Sequence, residues 1–198
     1  MSRELQLKTP LDADEVAGLR VGDVVGLSGT IFTARDMAHI RIMGLLSRGE
    51  RLPEDFAGAA LYHAGPVMRR EGEVWHNVVI GPTTSMRMEP FSEAVLGRLG
   101  ARALIGKGGM GEGTRAALRK HGGVYLAAPP GCAAVQAEAV RAVRRVHWLE
   151  LGMPEAIWVM DVENWGPLVV GMDSVGGSVF KDVRESALAL IPALLGRK

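Results

Sequence analysis

What most constrains this chain is its punctuation. Short apolar runs alternate with stretches of helical periodicity, and nearly every join carries Gly or Pro. That rhythm is the signature of a mixed α/β fold, with no repeat, linker or low-complexity segment to divide it. At 198 residues with 47% hydrophobic content, the chain can bury a core as one domain over residues 1–198.

The pattern places a helical turn at Asp14 to Leu19 and a strand at Val24 to Phe32. A helix follows from Thr33, with Thr33 and Asp36 spaced as a capping box and Ala38, Ile42, Leu45 and Leu46 facing the core. Arg35 and His39 then share a more polar face. Ala59 to Tyr62 and Val74 to Ile80 read as strands of a hairpin around the turn-like His63 to Gly72. Further on come a helix at Pro90 to Leu99, a strand at Arg102 to Ile105, a helix at Thr114 to Lys120 and a strand at Val124 to Ala127. Ala133 to Leu149 reads as one long helix, Ala156 to Val162 and Pro167 to Met172 as two strands, and Asp182 to Leu195 as a last helix kinked at Pro192.

Charge narrows the function. Lys plus Arg number 23 against 22 for Asp plus Glu, so no global field gathers nucleic acid or an anionic membrane, and anion binding must be local. The opening MSRELQLKTP lacks the apolar core of a targeting segment, and Ala187 to Leu195 is too short to span a bilayer. The expectation is a soluble, cytoplasmic protein. One cysteine, Cys132, cannot hold an iron-sulfur cluster, and five scattered histidines show no zinc spacing. No metal site is expected on this chain.

Four places carry candidate chemistry. Arg35 puts a cation in the first turn of a helix, where the dipole is already positive; a bound carboxylate would turn that cost into a gain, and pairing with Asp36 or solvent is the plainer alternative. GPTTSMRMEP (Gly81 to Pro90) leaves a strand with two hydroxyls, Thr83 and Thr84, and a guanidinium, Arg87; it reads equally as a polar-contact loop or a helix-capping turn. GKGGMG (Gly106 to Gly111) formally matches a dinucleotide fingerprint, but the strand at Val124 to Leu126 runs into Ala-Ala-Pro-Pro where an acidic residue is required, and Lys107 is followed by Gly rather than Ser or Thr. What remains is a lysine framed by glycines that admit a small anion, or a solvated turn. Cys132 at a helix start reads as a small buried hydrophobe, Arg141, Arg144, Arg145 and His147 as a solvated helix face or subunit contact, and Trp148, Trp158 and Trp165 as core or interface anchors.

Taken in order, GDVVGLSGTIFTARDMAH (Gly22 to His39), YHAGPV (Tyr62 to Val67), GPTTSMRMEP, IGKGGMG (Ile105 to Gly111) and LGMPEAIW (Leu151 to Trp158) resemble the β subunit, or C-terminal domain, of class I fumarases and L-tartrate dehydratases. The resemblance implies a swivelling β/β/α domain with a mixed sheet flanked by helices. It implies a partner α subunit carrying an oxygen-sensitive [4Fe-4S] cluster on three cysteines, in a hetero-oligomer expected to be α2β2. It also implies hydro-lyase activity on a small dicarboxylate, with fumarate and L-malate the first expectation and L-tartrate dehydration the alternative. By motif, Arg35, Arg87 and Lys107 would bind substrate, with Thr84 beside them and His39 at the edge, while Thr83 matches the position of a catalytic base. A dicarboxylate-binding module without catalysis is the alternative of another class.

Overall fold

The computed structural model describes residues 2–196. In chain order the elements are β1 (Glu4–Lys8), α1 (Ala13–Ala17), β2 (Val24–Thr33), α2 (Asp36–Arg48), β3 (Ala60–Tyr62), β4 (Val67–Glu71), β5 (Val74–Val79), a 3-10 helix (Ser85–Phe91), α3 (Ser92–Gly97), β6 (Ala103–Gly106), α4 (Glu112–His121), β7 (Val124–Ala127), α5 (Ala133–Glu138), β8 (Val140–His147), a 3-10 turn (Leu149–Leu151), β9 (Ile157–Met172) and α6 (Val179–Leu195).

Strands β1, β2, β3, β6 and β7 run parallel in that spatial order, while β9 lies antiparallel against β7 on one side and β2 on the other. The β2–β9 pairing closes β2, β3, β6, β7 and β9 into a ring. Side-chain alternation divides the interior accordingly. Ile31, Tyr62, Ile105, Leu126, Trp158 and Met160 pack inside the ring. Their neighbours Phe32, Leu61, Leu104, Tyr125, Ile157 and Val159 point outward, under Ala38 and Ile42 of α2, Val95 and Leu96 of α3, and Ala117 and Leu118 of α4. Trp158 is fully buried, stacks edge-on against Trp75 at 5.1 Å, and donates its indole N–H to the Met153 carbonyl. Truncating a tryptophan so placed would cost on the order of 3–5 kcal/mol.

Several expectations give way here. Ala133 to Leu149 is not one helix: α5 ends at Glu138, and Val140–His147 is a strand antiparallel to β9. Two bulges, between Val140 and Ala142 and between Val143 and Arg145, account for the misreading. Each adds a residue, so Val140, Val143 and Val146 face the core at a three-residue spacing that imitates a helix. Arg141, Arg144, Arg145 and His147 therefore line a strand; the three arginines are ion-paired with Glu163, Asp161 and Glu54 in turn, and the His147 ring lies 2.7 Å from the same Glu54.

The expected hairpin is also different. β3 pairs in parallel within the main sheet, and the hairpin is β4 with β5; β4 lies inside the segment read as a turn, and β5 is the strand expected at Val74 to Ile80. The exposed charges Arg69, Arg70 and Glu71 mask the β4 strand in the sequence. β9 runs unbroken across Asn164–Pro167, where the sequence signals a stop. Cys132 is exposed rather than buried. Trp158 and Trp165 are buried as expected, and Trp148 stays half-buried, with the Arg41 guanidinium 5.3 Å from its ring centre. Helix α6 begins at Val179, capped by Ser178, and carries Pro192 within it. Among the described residues no helix is long and apolar enough to cross a membrane.

Candidate active site

Parallel strands end level when their registers match, and here Thr33 pairs with Tyr62, Tyr62 with Ile105, and Ile105 with Leu126. The loops that leave these ends therefore share one rim, the usual ligand edge of a parallel sheet. Arg35 leaves β2, His63 leaves β3 and Lys107 leaves β6. Loop 81–84 joins the same rim: Thr83 N–H donates to the His63 carbonyl at 2.6 Å, Lys107 N–H to the Thr83 carbonyl at 3.3 Å, and Ser85 N–H to the Lys107 carbonyl at 3.1 Å. Thr84 and Lys107 form an isolated parallel bridge. Residues 83 and 84 are thus joined backbone to backbone to residue 107, well removed from them in sequence.

Arg87 follows one helical step later and grips Asp36, the first residue of α2, in a bidentate ion pair, with Nε 3.1 Å from Oδ1. Asp36 adjoins Arg35, so this pair links the Thr83–Lys107 loops to the start of α2. The Thr33–Asp36 capping box does not form. Thr33 is still in β2, where its hydroxyl donates to the Ala156 carbonyl and accepts from Trp158 N–H. The cap position is Arg35, and the donor that a cap would satisfy, Met37 N–H, instead meets Glu155 Oε2 at 2.9 Å.

Glu155 also faces Arg35, with Oε1 3.2 Å from Nε. The pair is close enough for attraction but misaligned, and Nε is buried without a hydrogen-bond partner. A Cβ on Gly65 would stand 2.7 Å from Arg35 Nη1 and 2.7 Å from Pro154 Cβ. Only glycine lets the guanidinium lie there. Arg35 and Arg87 thus each spend one edge on an internal carboxylate, and a guanidinium has five N–H donors to offer. Among the described residues Lys107 makes no ion pair. Thr84 and Arg87 are exposed, Arg35, Thr83 and Lys107 half-buried.

His39 does not share a polar face with Arg35. It is 1% exposed, stacks on Phe91 at 5.2 Å, and gives its Nδ1–H to the Arg35 carbonyl at 2.8 Å, since a carbonyl can only accept. It lies beneath the rim, edge-on to buried His63 at 5.5 Å. Burial lowers His39 to about 4 and holds His63 well below the usual histidine range, with His39 adding to the effect on His63. Both imidazoles are neutral at pH 7.

The glycine-rich loop shows why it is not a nucleotide cradle. Glu89 occupies the start of α4, its carboxylate accepting from Gly111 N–H, Thr114 N–H and the Thr114 hydroxyl at 2.8, 2.9 and 2.5 Å. A Cβ on Gly111 would meet Glu89 Oε1 at 2.7 Å. That glycine admits a carboxylate of the protein itself. A cavity of about 430 Å³ between Met110, Arg115 and Phe180 borders these loops at Met86, Gly109 and Gly111, and Arg35, Thr83, Arg87 and Lys107 do not line it.

Sequence reasoning assigned no role to Glu155, Gly65, Ser85 or Glu89. Their one signal was membership of the shared motifs or of the loops beside them. Among the described residues no group of three potential metal ligands occurs.

The model of the family described as Fumarase C-terminus matches residues 1–183. A protein of Methanocaldococcus jannaschii, provisionally named L(+)-tartrate dehydratase subunit beta, is 44% identical over 94% of this chain and 96% of its own length. The L(+)-tartrate dehydratase subunit beta of Escherichia coli is 42% identical over 90% of this chain and 88% of its own. A protein of Geobacillus stearothermophilus provisionally named class I fumarate hydratase is 42% identical over 94% of this chain, which corresponds to 35% of that longer protein. With a family match across most of its length and relatives above two-fifths identity, the chain belongs to the Fumarase C-terminus family, that of the tartrate dehydratase and class I fumarate hydratase β subunits.

Proposed function

We propose that this chain is the β subunit of a hydro-lyase that adds or removes water on a four-carbon dicarboxylic acid, paired with an α subunit that carries a [4Fe-4S] cluster. The observation that carries the reading is the shared rim. Two guanidinium groups with free edges and an ammonium stand on loops tied to one another and to Thr83 by backbone hydrogen bonds, a backbone bridge and the Arg87–Asp36 ion pair. Removing a proton beside a carboxylate drives negative charge onto that carboxylate, and fixed cations stabilise this charge more in the transition state than in the bound substrate. Arg35 and Arg87 supply forks that fit a carboxylate, and Lys107 supplies a compact charge. Thr83 is the candidate base, and the cations on the adjoining loops would make its hydroxyl more acidic.

This chain's own side chains do not fit a cluster, because its one cysteine, Cys132, is alone and exposed. In this reading the cluster belongs wholly to the partner, and no step assigned to the present residues passes through it. The exposure of Thr84 and Arg87 suits a half-site whose other wall is a second chain.

Fumarate hydration to L-malate is the first reading. L-tartrate dehydration to oxaloacetate has equal support from the names of the relatives. The test is anaerobic co-production with an α subunit, followed by sizing of the cluster-loaded complex against the proposed α2β2 assembly and its assay on fumarate, L-malate and L-tartrate. Turnover of one of these acids, with none by this chain alone, is expected. A loaded complex that binds the diacids without converting them would replace the enzyme with a dicarboxylate-binding module.

A further inference from the structure

Beneath the rim runs a buried polar chain that the proposed chemistry leaves unused. The Tyr125 hydroxyl lies 2.8 Å from the Gly108 carbonyl and 3.1 Å from Ser85 Oγ, and Ser85 Oγ lies 2.9 Å from His63 Nδ1. All three side chains are at most 1% exposed. Proton counting fixes the direction. The Gly108 carbonyl can only accept, so the single Tyr125 proton goes there. Tyr125 Oη must then accept from the Ser85 hydroxyl, and Ser85 Oγ from His63 Nδ1–H.

Each end is anchored to the rim. His63 takes Thr83 N–H on its carbonyl, and Gly108 follows Lys107 directly. Ser85 follows Thr84 and binds the Lys107 carbonyl through its own N–H. The approach also requires glycine at position 106, where a Cβ would sit 1.9 Å from Ser85 Oγ. Leaving such groups buried and unpaired would be costly, so the chain favours a single arrangement of the two loops.

We propose that His63, Ser85 and Tyr125 form a positioning unit, one directed hydrogen-bond chain that holds the Thr83 loop and the Lys107 loop in working register. The inference rests on the function proposed above for those two loops, but its test need not.

The first arm uses the isolated full-length chain, labelled with nitrogen-15. At pH 7 the His63 ring should carry its proton on Nδ1, and Tyr125→Phe should speed amide exchange at Lys107 to Met110 and at Thr83 to Ser85 while leaving β2 and β9 unchanged. A proton on Nε2, or loop exchange that Tyr125→Phe leaves as it was, overturns the proposal whatever the chain catalyses. The second arm uses the partner complex. Ser85→Ala and Tyr125→Phe should each lower kcat about tenfold with KM changed little, and the double variant should fall no further than the worse single, as members of one chain do. His63→Asn, which can place an N–H near the Nδ1 position, should recover more activity than His63→Gln. Wild-type kcat in Tyr125→Phe would overturn the proposal, whereas an inactive wild-type complex would overturn the function proposed for the loops and leave the first arm to decide.

Discussion

Two helices begin at the same edge of the sheet, and each meets a carboxylate from elsewhere in the chain. At α4, Glu89 accepts three hydrogen bonds, and Gly111 and Gly113 give it close access. At α2, Glu155 accepts one, from Met37, and its other oxygen approaches Arg35 without bonding to it. The first end is filled by the protein's own carboxylate. The second keeps a surplus of donors, because the guanidinium of Arg35 has more N–H groups than Glu155 can engage. A helix start marks an anion site only where internal carboxylates leave it donors to spare.

The largest expected effect tests that surplus. Arg35→Lys keeps the charge but loses the fork, and in the partner complex kcat/KM should fall about 100-fold or more, roughly 3 kcal/mol. Wild-type kinetics would make the α2 end as inert as that of α4.

Acid should also act on the α2 end, through the buried histidines beneath it. His39 has a folded value near 4 against 6.5 for an ordinary histidine. The unfolded chain therefore binds the proton first, and stability present above pH 6.5 is lost as the pH falls toward 4, by about 3 kcal/mol for this group. His63 shifts in the same direction and steepens the same limb. Urea unfolding at a series of pH values measures it, and His39→Asn should flatten the profile; an unchanged acid limb in that variant would assign the loss to other groups.

The smallest effects compare the two carboxylates directly. Glu89→Ala strands three donors and should cost about 2 kcal/mol in urea unfolding, whereas Glu155→Ala releases one backbone donor and should cost about 1 kcal/mol. A larger loss from Glu155→Ala would reverse the ranking and make Glu155 the structural member of the pair.

Much of the main sheet was legible in the sequence. Val24 to Phe32, Arg102 to Ile105 and Val124 to Ala127 are apolar runs bounded by turn residues, and all three are strands. What failed was local pattern under tertiary distortion. Bulges gave β8 a helical spacing, and charges on the open face of β4 hid it inside a turn. At the candidate site, the residue types of Arg35, Thr83, Arg87 and Lys107 drew notice because their loops suit polar contact. The groups that hold them were silent. Glu155 reaches Arg35 across more than a hundred residues, and Ser85 meets Tyr125 across forty.

By itself the sequence determined a mixed α/β chain of balanced charge, with cations and hydroxyls in glycine-punctuated loops and five motifs in family order. Periodicity, charge and residue type are local quantities, so they survive in one dimension. Only the tertiary structure decided that β9 closes the sheet onto β2, that the ends of β2, β3 and β6 stand level, and that Glu89 fills one helix start while Glu155 leaves the other partly open. Those outcomes depend on register and on contacts between residues far apart in sequence, which no local window can record.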